Sequence, residues 1–156
     1  MPVIEIVRTN SNNKDFTHLV SMLDSYLAIL DGDDHAFYHQ FNKTDKLDHV
    51  LVAYEFNEPV GCGAIRPYDL LTMEIKRMYT IPEKRGKGIA AAILTELEIW
   101  AGELLFQKCV LETGKRQPEA IALYNKSGYK IIPNYGQYAG MDNSICFEKI
   151  IPLNLK

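Results

Sequence analysis

The chain has 156 residues, 47% of them hydrophobic, enough for one α/β-type core and too few for two substantial domains. Its 17 basic residues are scattered among 20 acidic ones for a net charge of −3, which argues against a nucleic-acid-binding face. No stretch of about eighteen uninterrupted apolar residues and no basic-then-apolar leader is present, so a soluble, cytoplasmic chain without a membrane partner is expected.

Val3 to Arg8 alternates as a strand, and Asp15 is placed to cap a helix whose apolar positions Phe16, Leu19, Val20, Leu23, Leu27 and Leu30 follow the 3.6-residue period. The run Asp31-Gly32-Asp33-Asp34 stops it, and a shorter helix is predicted from His35 to Asn42. A hairpin follows, Val50 to Phe56 and Val60 to Arg66 about a turn at Asn57-Glu58. Met73 to Ile81 is the next strand, ended by Pro82, which removes a ladder donor. A helix from Ile89 to about Gly102 is expected to bury Ile93, Leu97, Trp100, Ala101 and Leu104.

Cys109 to Glu112 reads as a short buried strand, and Pro118 opens a helix that Gly128 closes. Two last strands, Tyr129 to Ile132 and Ser144 to Ile150, flank a Pro-, Gly- and Tyr-rich loop. Cys62, Cys109 and Cys146 lie in apolar runs at no metal-ligand spacing, which predicts buried thiols, a reducing compartment and no metal.

The run Arg85-Gly86-Lys87-Gly88-Ile89-Ala90 sits between a predicted strand and a predicted helix. A glycine turn feeding a helix leaves N–H groups without intrahelical partners at the positive end of the dipole, which suits a phosphate. A tight turn with solvated charge is the plainer reading of such a run. Lys87 is followed by Gly88 rather than a hydroxyl residue, and no Gly-x-Gly-x-x-Gly opens an early strand-to-helix turn, so neither a P-loop nor a dinucleotide-binding fold is favoured.

About thirty residues later comes Ala120-Ile121-Ala122-Leu123-Tyr124-Asn125-Lys126-Ser127-Gly128-Tyr129. With both segments in view, the chain resembles the GNAT superfamily of acyl-CoA-dependent N-acyltransferases from about Val3 to Ile150. Arg85, Gly88 and Ala90 meet that family's main signature, and Ala120, Leu123, Tyr124, Gly128 and Tyr129 meet its second. Pattern alone gives α/β or α+β. The resemblance implies one GNAT-type domain over residues 1–156, with a mixed central sheet of about seven strands and about four helices.

The resemblance also implies acetyl-CoA as co-substrate. Its pantetheine would run along the backbone of Met78, Tyr79 and Thr80, with Cys109 to Thr113 opposite, and its pyrophosphate would rest on the N–H groups of Arg85, Gly86, Lys87, Gly88, Ile89 and Ala90. Arg85, Lys87 and Lys84 add charge. Lys115 and Arg116 either reach the ribose phosphate or are solvated. Gln117 stands where many members carry Asn, keeping the amide chemistry on a longer stem.

By the same resemblance Tyr124 donates a proton to the departing CoA thiolate, a role that suits a phenol, which stays protonated at pH 7. Its alternative is a ring packed on the core with its hydroxyl at the surface. Glu74 is the candidate general base, and its alternative is a strand-surface carboxylate beside Lys76, two residues away on the same face. Tyr135 and Tyr138 are either an acceptor-site wall or ordinary loop aromatics.

The function implied is acetyl transfer to a primary amine of a small molecule or protein by direct attack in a ternary complex. A longer acyl donor, a hydroxyl acceptor, or a non-catalytic CoA-binding module are the alternatives. Asp31, Asp33 and Asp34 are either turn chemistry or a site for a cationic amine. Dimers are common in the family, and the oligomeric state is open.

Overall fold

A computed structural model describes residues 3–41 and 46–152. The elements run in the expected order: β1 (Ile4–Thr9), α1 (Lys14–Asp31), α2 (His35–Phe41), β2 (His49–Glu55), β3 (Glu58–Pro67), β4 (Thr72–Thr80), α3 (Ile89–Glu103), β5 (Lys108–Gly114), α4 (Pro118–Lys126), β6 (Lys130–Ile132) and β7 (Ser144–Ile150). The predicted end of α2 at Asn42 lies outside the described residues.

All seven strands join one sheet in the order β1-β2-β3-β4-β5-β7-β6. Among the described residues only β4 and β5 pair in parallel. The sheet is therefore mixed, as the resemblance implied. Alternation along β2 sends Val50 and Val52 to one face and Leu51 and Ala53 to the other. On the first face they meet Phe16, Leu19, Val20 and Leu23 of α1. On the second they join the core that Ile89, Ile93, Leu94 and Leu97 of α3 and Tyr124 of α4 build. α1 thus buries its apolar stripe on one side of the sheet, and α3 and α4 bury theirs on the other.

Four local expectations are corrected. Asn13, not Asp15, caps α1, its side chain accepting from the N–H of Phe16 at 2.9 Å. Asp15 sits inside the first turn and accepts instead from the Tyr54 hydroxyl at 2.7 Å. Trp100 is half-buried at the core rim, between the Arg8 guanidinium, 4.6 Å from its ring centroid, and the edge of His49. Leu104 follows the last turn of α3 and is exposed, because the helix ends at Glu103 before that side chain can turn inward. The β2–β3 turn falls on Phe56 and Asn57, both left-handed, the geometry whose twist matches a tight hairpin. Cys62, Cys109 and Cys146 are buried, and burial pushes their thiols up to about 12, 12 and 11.

Candidate active site

The site begins where β4 and β5 part. Their ladder holds only from Thr72–Lys108 to Glu74–Val110. Beyond it β4 follows β3 while β5 follows β7, and the backbone of Met78, Tyr79 and Thr80 has no parallel neighbour among the described residues. A bulge opens the gap. Arg77 has φ 58°, and the β3–β4 register slips between Cys62–Tyr79 and Ala64–Lys76. Such a bulge bends the strand and resets its alternation. Before it Ile75 packs toward α3; after it Met78 does, while Tyr79 packs with α1.

A groove of about 670 Å³ occupies the gap, walled by Met78, Tyr79, Thr80, the turn after β4, and α4. At its far end Gly86 and Gly88 are left-handed (φ 79° and 84°), and a Cβ at either would project into open space. The N–H groups of Gly86, Lys87, Gly88, Ile89 and Ala90 donate to no backbone carbonyl of the described residues, and α3 has no side-chain cap. The Arg85 N–H differs from that set, since it closes a 3₁₀ turn on Pro82 at 3.3 Å. These features fit an anionic phosphate group at the start of a fifteen-residue helix.

The charged residues of the turn divide. Arg85 lines the groove, held by its Nε–H to the Thr80 carbonyl at 2.9 Å and lying over Tyr26 and Tyr79. Lys84 is drawn away into an ion pair with buried Glu55. Lys87 is exposed, and Ile89 turns its side chain into the core. Gln117 lines the groove at the head of α4. Arg116 donates to the carbonyls of Leu30 and Asp31 at 2.9 and 3.1 Å, tying the β5–α4 loop to the end of α1.

Tyr124 is fixed by how α4 ends. Gly128 (φ 91°) lets the Tyr129 N–H reach the Tyr124 carbonyl at 3.0 Å and the Gly128 N–H reach Asn125 at 3.4 Å. That paired closure requires a left-handed residue, which explains the glycine of the second motif. The Tyr124 ring packs on Tyr129 and Phe147 at 5.8 and 5.7 Å between centroids. Its hydroxyl makes no hydrogen bond to another described residue, and burial, then the charge of Glu112, pushes the phenol well above its usual range. It is a protonated donor at neutral pH.

Tyr124 also lines a second, smaller space. The groove meets a polar chamber of about 100 Å³, and Tyr124, Met78, Gln117 and Ala120 belong to both. Inside are Glu112 of β5, Lys76 of β4, Asp31 at the end of α1, and the rings of Tyr38 and Tyr138. The Ser144 hydroxyl donates to Glu112 Oε2 at 2.7 Å. Ser144 has one hydrogen to give, so Tyr38, 2.7 Å from the same oxygen, donates to it. Burial raises the Glu112 carboxyl to about 7; the Ser144 bond and Lys76 pull it down, while Asp31 and Glu74 push it up. Burial lowers Lys76, against the charge of Glu74 and Glu112.

Glu74 lies elsewhere. It is 2% exposed on the same strand as Lys76, but its oxygens are bonded by Arg66 Nε at 3.2 Å and the Tyr135 hydroxyl at 2.7 Å, and it lines neither groove nor chamber. Its partner is not Lys76. Tyr138 walls the chamber, whereas Tyr135 stacks edge-on against Tyr68 and Tyr138 above Glu74. Glu112 is a chamber residue that the sequence does not single out. Its signal is a lone carboxylate within the otherwise buried run Cys109-Val110-Leu111-Glu112-Thr113.

No helix among the described residues is long and apolar enough to cross a membrane, and none of their His, Cys, Asp and Glu side chains cluster to hold a metal.

Comparison with known proteins agrees with the geometry. The chain is 32% identical over 151 residues to an IAA acetyltransferase of Azospirillum brasilense, covering 96% of this chain and 99% of that one. A crystal structure from Klebsiella pneumoniae, assigned to the acyl-CoA N-acyltransferases, superposes with a TM-score of 0.81 at 28% identity, covering 96% and 99% of the two chains. An Elizabethkingia anophelis acetyltransferase solved with acetyl-CoA bound shares the fold at a TM-score of 0.67 and 18% identity, over 95% and 98%. The family model "Acetyltransferase (GNAT) family" matches residues 15–129. With the splayed strands, the glycine turn and the Tyr124 helix all inside that span, the chain belongs to the GNAT acetyltransferase family.

Proposed function

We propose that the protein transfers an acetyl group from acetyl-CoA to a primary amine by direct attack in a ternary complex. One observation carries this reading: the long groove and the polar chamber meet at Tyr124, with Glu112 on the chamber side. A thioester lying along the groove and an amine in the chamber would come together there.

Pantetheine bonds the free backbone edge of Met78 to Thr80, and the pyrophosphate takes the N–H groups from Gly86 to Ala90 with Arg85 beside it. Gln117, in the wall shared by both spaces, contacts the donor near its reactive end. Glu112 takes the role for which the sequence offered Glu74. A carboxyl near 7 is part-ionised at neutral pH and can accept the ammonium proton, whereas both oxygens of Glu74 are already hydrogen-bonded outside the chamber. The neutral amine then attacks the thioester carbonyl. The C–S bond breaks, Tyr124 gives its proton to the departing thiolate, and the extra proton on the new amide nitrogen leaves to solvent, from which the phenolate is reprotonated.

The test is thiol release from acetyl-CoA across a panel of amines and alcohols, with acetyl-CoA replaced by longer acyl-CoAs in a second arm. Amine-dependent release supports the proposal. Release only with alcohols, or only with longer acyl groups, would replace it with a different acyltransferase, and CoA binding without release in any arm would make the fold a CoA-binding module.

A further inference from the structure

The chamber carries charge of both signs, and its cations are under-used. Lys76 and Arg77 are neighbours in β4, which a regular pleat would send to opposite faces. The left-handed bulge at Arg77 lets both line the chamber. The Lys76 ammonium has three N–H donors but only one hydrogen bond among the described residues, to the phenol of Tyr138 at 3.3 Å, and no ion pair with a carboxylate.

Arg77 is more telling. Its side chain is 3% exposed, and Nη2 donates to Asp24 on α1 at 2.6 Å. Nε and Nη1 are buried with no hydrogen-bond partner among the described residues. Buried guanidinium donors are rarely left unmet, so such a group calls for an acceptor that the protein does not itself provide. Across the chamber the balance reverses. Glu112 has one oxygen bonded by Ser144, and the Asp31 carboxylate receives no hydrogen bond from a described residue.

We propose that the acceptor is a small amino acid, its carboxylate held by Lys76 and Arg77 and its amino group placed at Glu112. The inference rests on the transferase reading and narrows its acceptor. A chamber of about 100 Å³ has room for a few non-hydrogen atoms, which suits an amine and a carboxylate separated by a short carbon chain. Glu112 and Asp31 line the same chamber as the two cations, and Glu74 lies behind Lys76, so a singly charged carboxylate is favoured over a doubly charged phosphate. Asp31, together with Glu112, then keeps the acceptor's carboxylate from binding where its ammonium end belongs.

The experiment compares glycine, alanine and serine with their carboxamides and with aminoethylphosphonate, following thiol release from acetyl-CoA. The carboxamide amine gives up its proton more readily than that of the free acid, so a preference for the acid cannot arise from amine ionisation. At least one acid should exceed its amide by ~100-fold in kcat/KM, since a site built around buried donors rejects an analogue that leaves them unmet. Lys76→Met should collapse that ratio at least tenfold and Lys76→Arg should keep most of it. Equal kcat/KM for every acid–amide pair, or a preference for the phosphonate, overturns the proposal. If none of these releases thiol while another primary amine does, the proposal is overturned and the transferase reading stands. If no amine of any kind releases thiol, the transferase reading fails, and calorimetric titration of the CoA-loaded wild-type protein decides the carboxylate site separately. Binding of an acid without its amide supports the site; binding of both alike, or of neither, overturns it.

Discussion

Replacing Glu112 with Gln should have opposite effects on stability and on activity. A carboxyl raised from 4.5 to about 7 keeps its proton in the folded state while the unfolded chain has released it. Between those two values the folded state binds more protons, so stability is full below about 4.5 and is lost as pH rises through about 7. The gap of about 2.5 pH units, at ~1.36 kcal/mol each, sets an upper figure of ~3 kcal/mol. Gln keeps the shape and can still accept from Ser144, but it removes a negative charge that compensates Lys76. The net gain expected is therefore ~1 to 2 kcal/mol at pH 9 and close to zero at pH 4.5. Turnover should fall by ~10²-fold at pH 7 and recover in part where the amine is already neutral. Urea denaturation at both pH values and kcat/KM from pH 6 to 9 read the two effects. A variant with the wild-type pH dependence of stability and the wild-type rate profile would refute both the raised carboxyl at this position and the base role proposed for it.

Three further variants separate the other parts of the site. Tyr124→Phe keeps the ring against Tyr129 and Phe147 and should lower kcat by ~10²-fold with CoA affinity nearly unchanged, and a wild-type rate would reduce Tyr124 to packing. Gly88→Ala places a methyl in the open space before α3 at φ 84°; it should cost ~1 to 2 kcal/mol of stability and weaken CoA binding tenfold or more in calorimetry, whereas unchanged affinity in the folded variant would move the pyrophosphate elsewhere. Ser144→Ala removes the hydrogen bond that holds Glu112 down, so the limb of kcat/KM assigned to Glu112 should shift to higher pH, and an unmoved limb would assign it to another group.

The architecture was readable because its signals are local. Period-two alternation marks β2, the 3.6 period marks α1, and Gly128 marks the end of α4, each visible in a few neighbouring residues. The glycine turn likewise announced its chemistry, since free N–H groups at a helix start follow from backbone geometry alone. What escaped depends on distant partners. Nothing near Arg77 signals a left-handed bulge in a residue with a Cβ, yet that bulge opens the groove and turns Lys76 and Arg77 into one chamber. Glu74 and Glu112 look alike as strand carboxylates. Arg66 and Tyr135 occupy the first, while Ser144, 32 residues downstream, and Lys76 of another strand surround the second. Asp15 lost the cap to Asn13 for a smaller reason: both are capping residues, and Tyr54 of β2 claims the Asp15 carboxylate.

The most direct test of the central claim is an initial-rate matrix in which acetyl-CoA and a small amine are varied together, with the product identified by mass spectrometry. Direct attack by the amine, at the junction beside Tyr124, predicts intersecting double-reciprocal lines and one N-acetylated acceptor for each thiol released. Parallel lines would point to an acyl-enzyme intermediate, and thiol release that does not depend on the amine would contradict the account altogether.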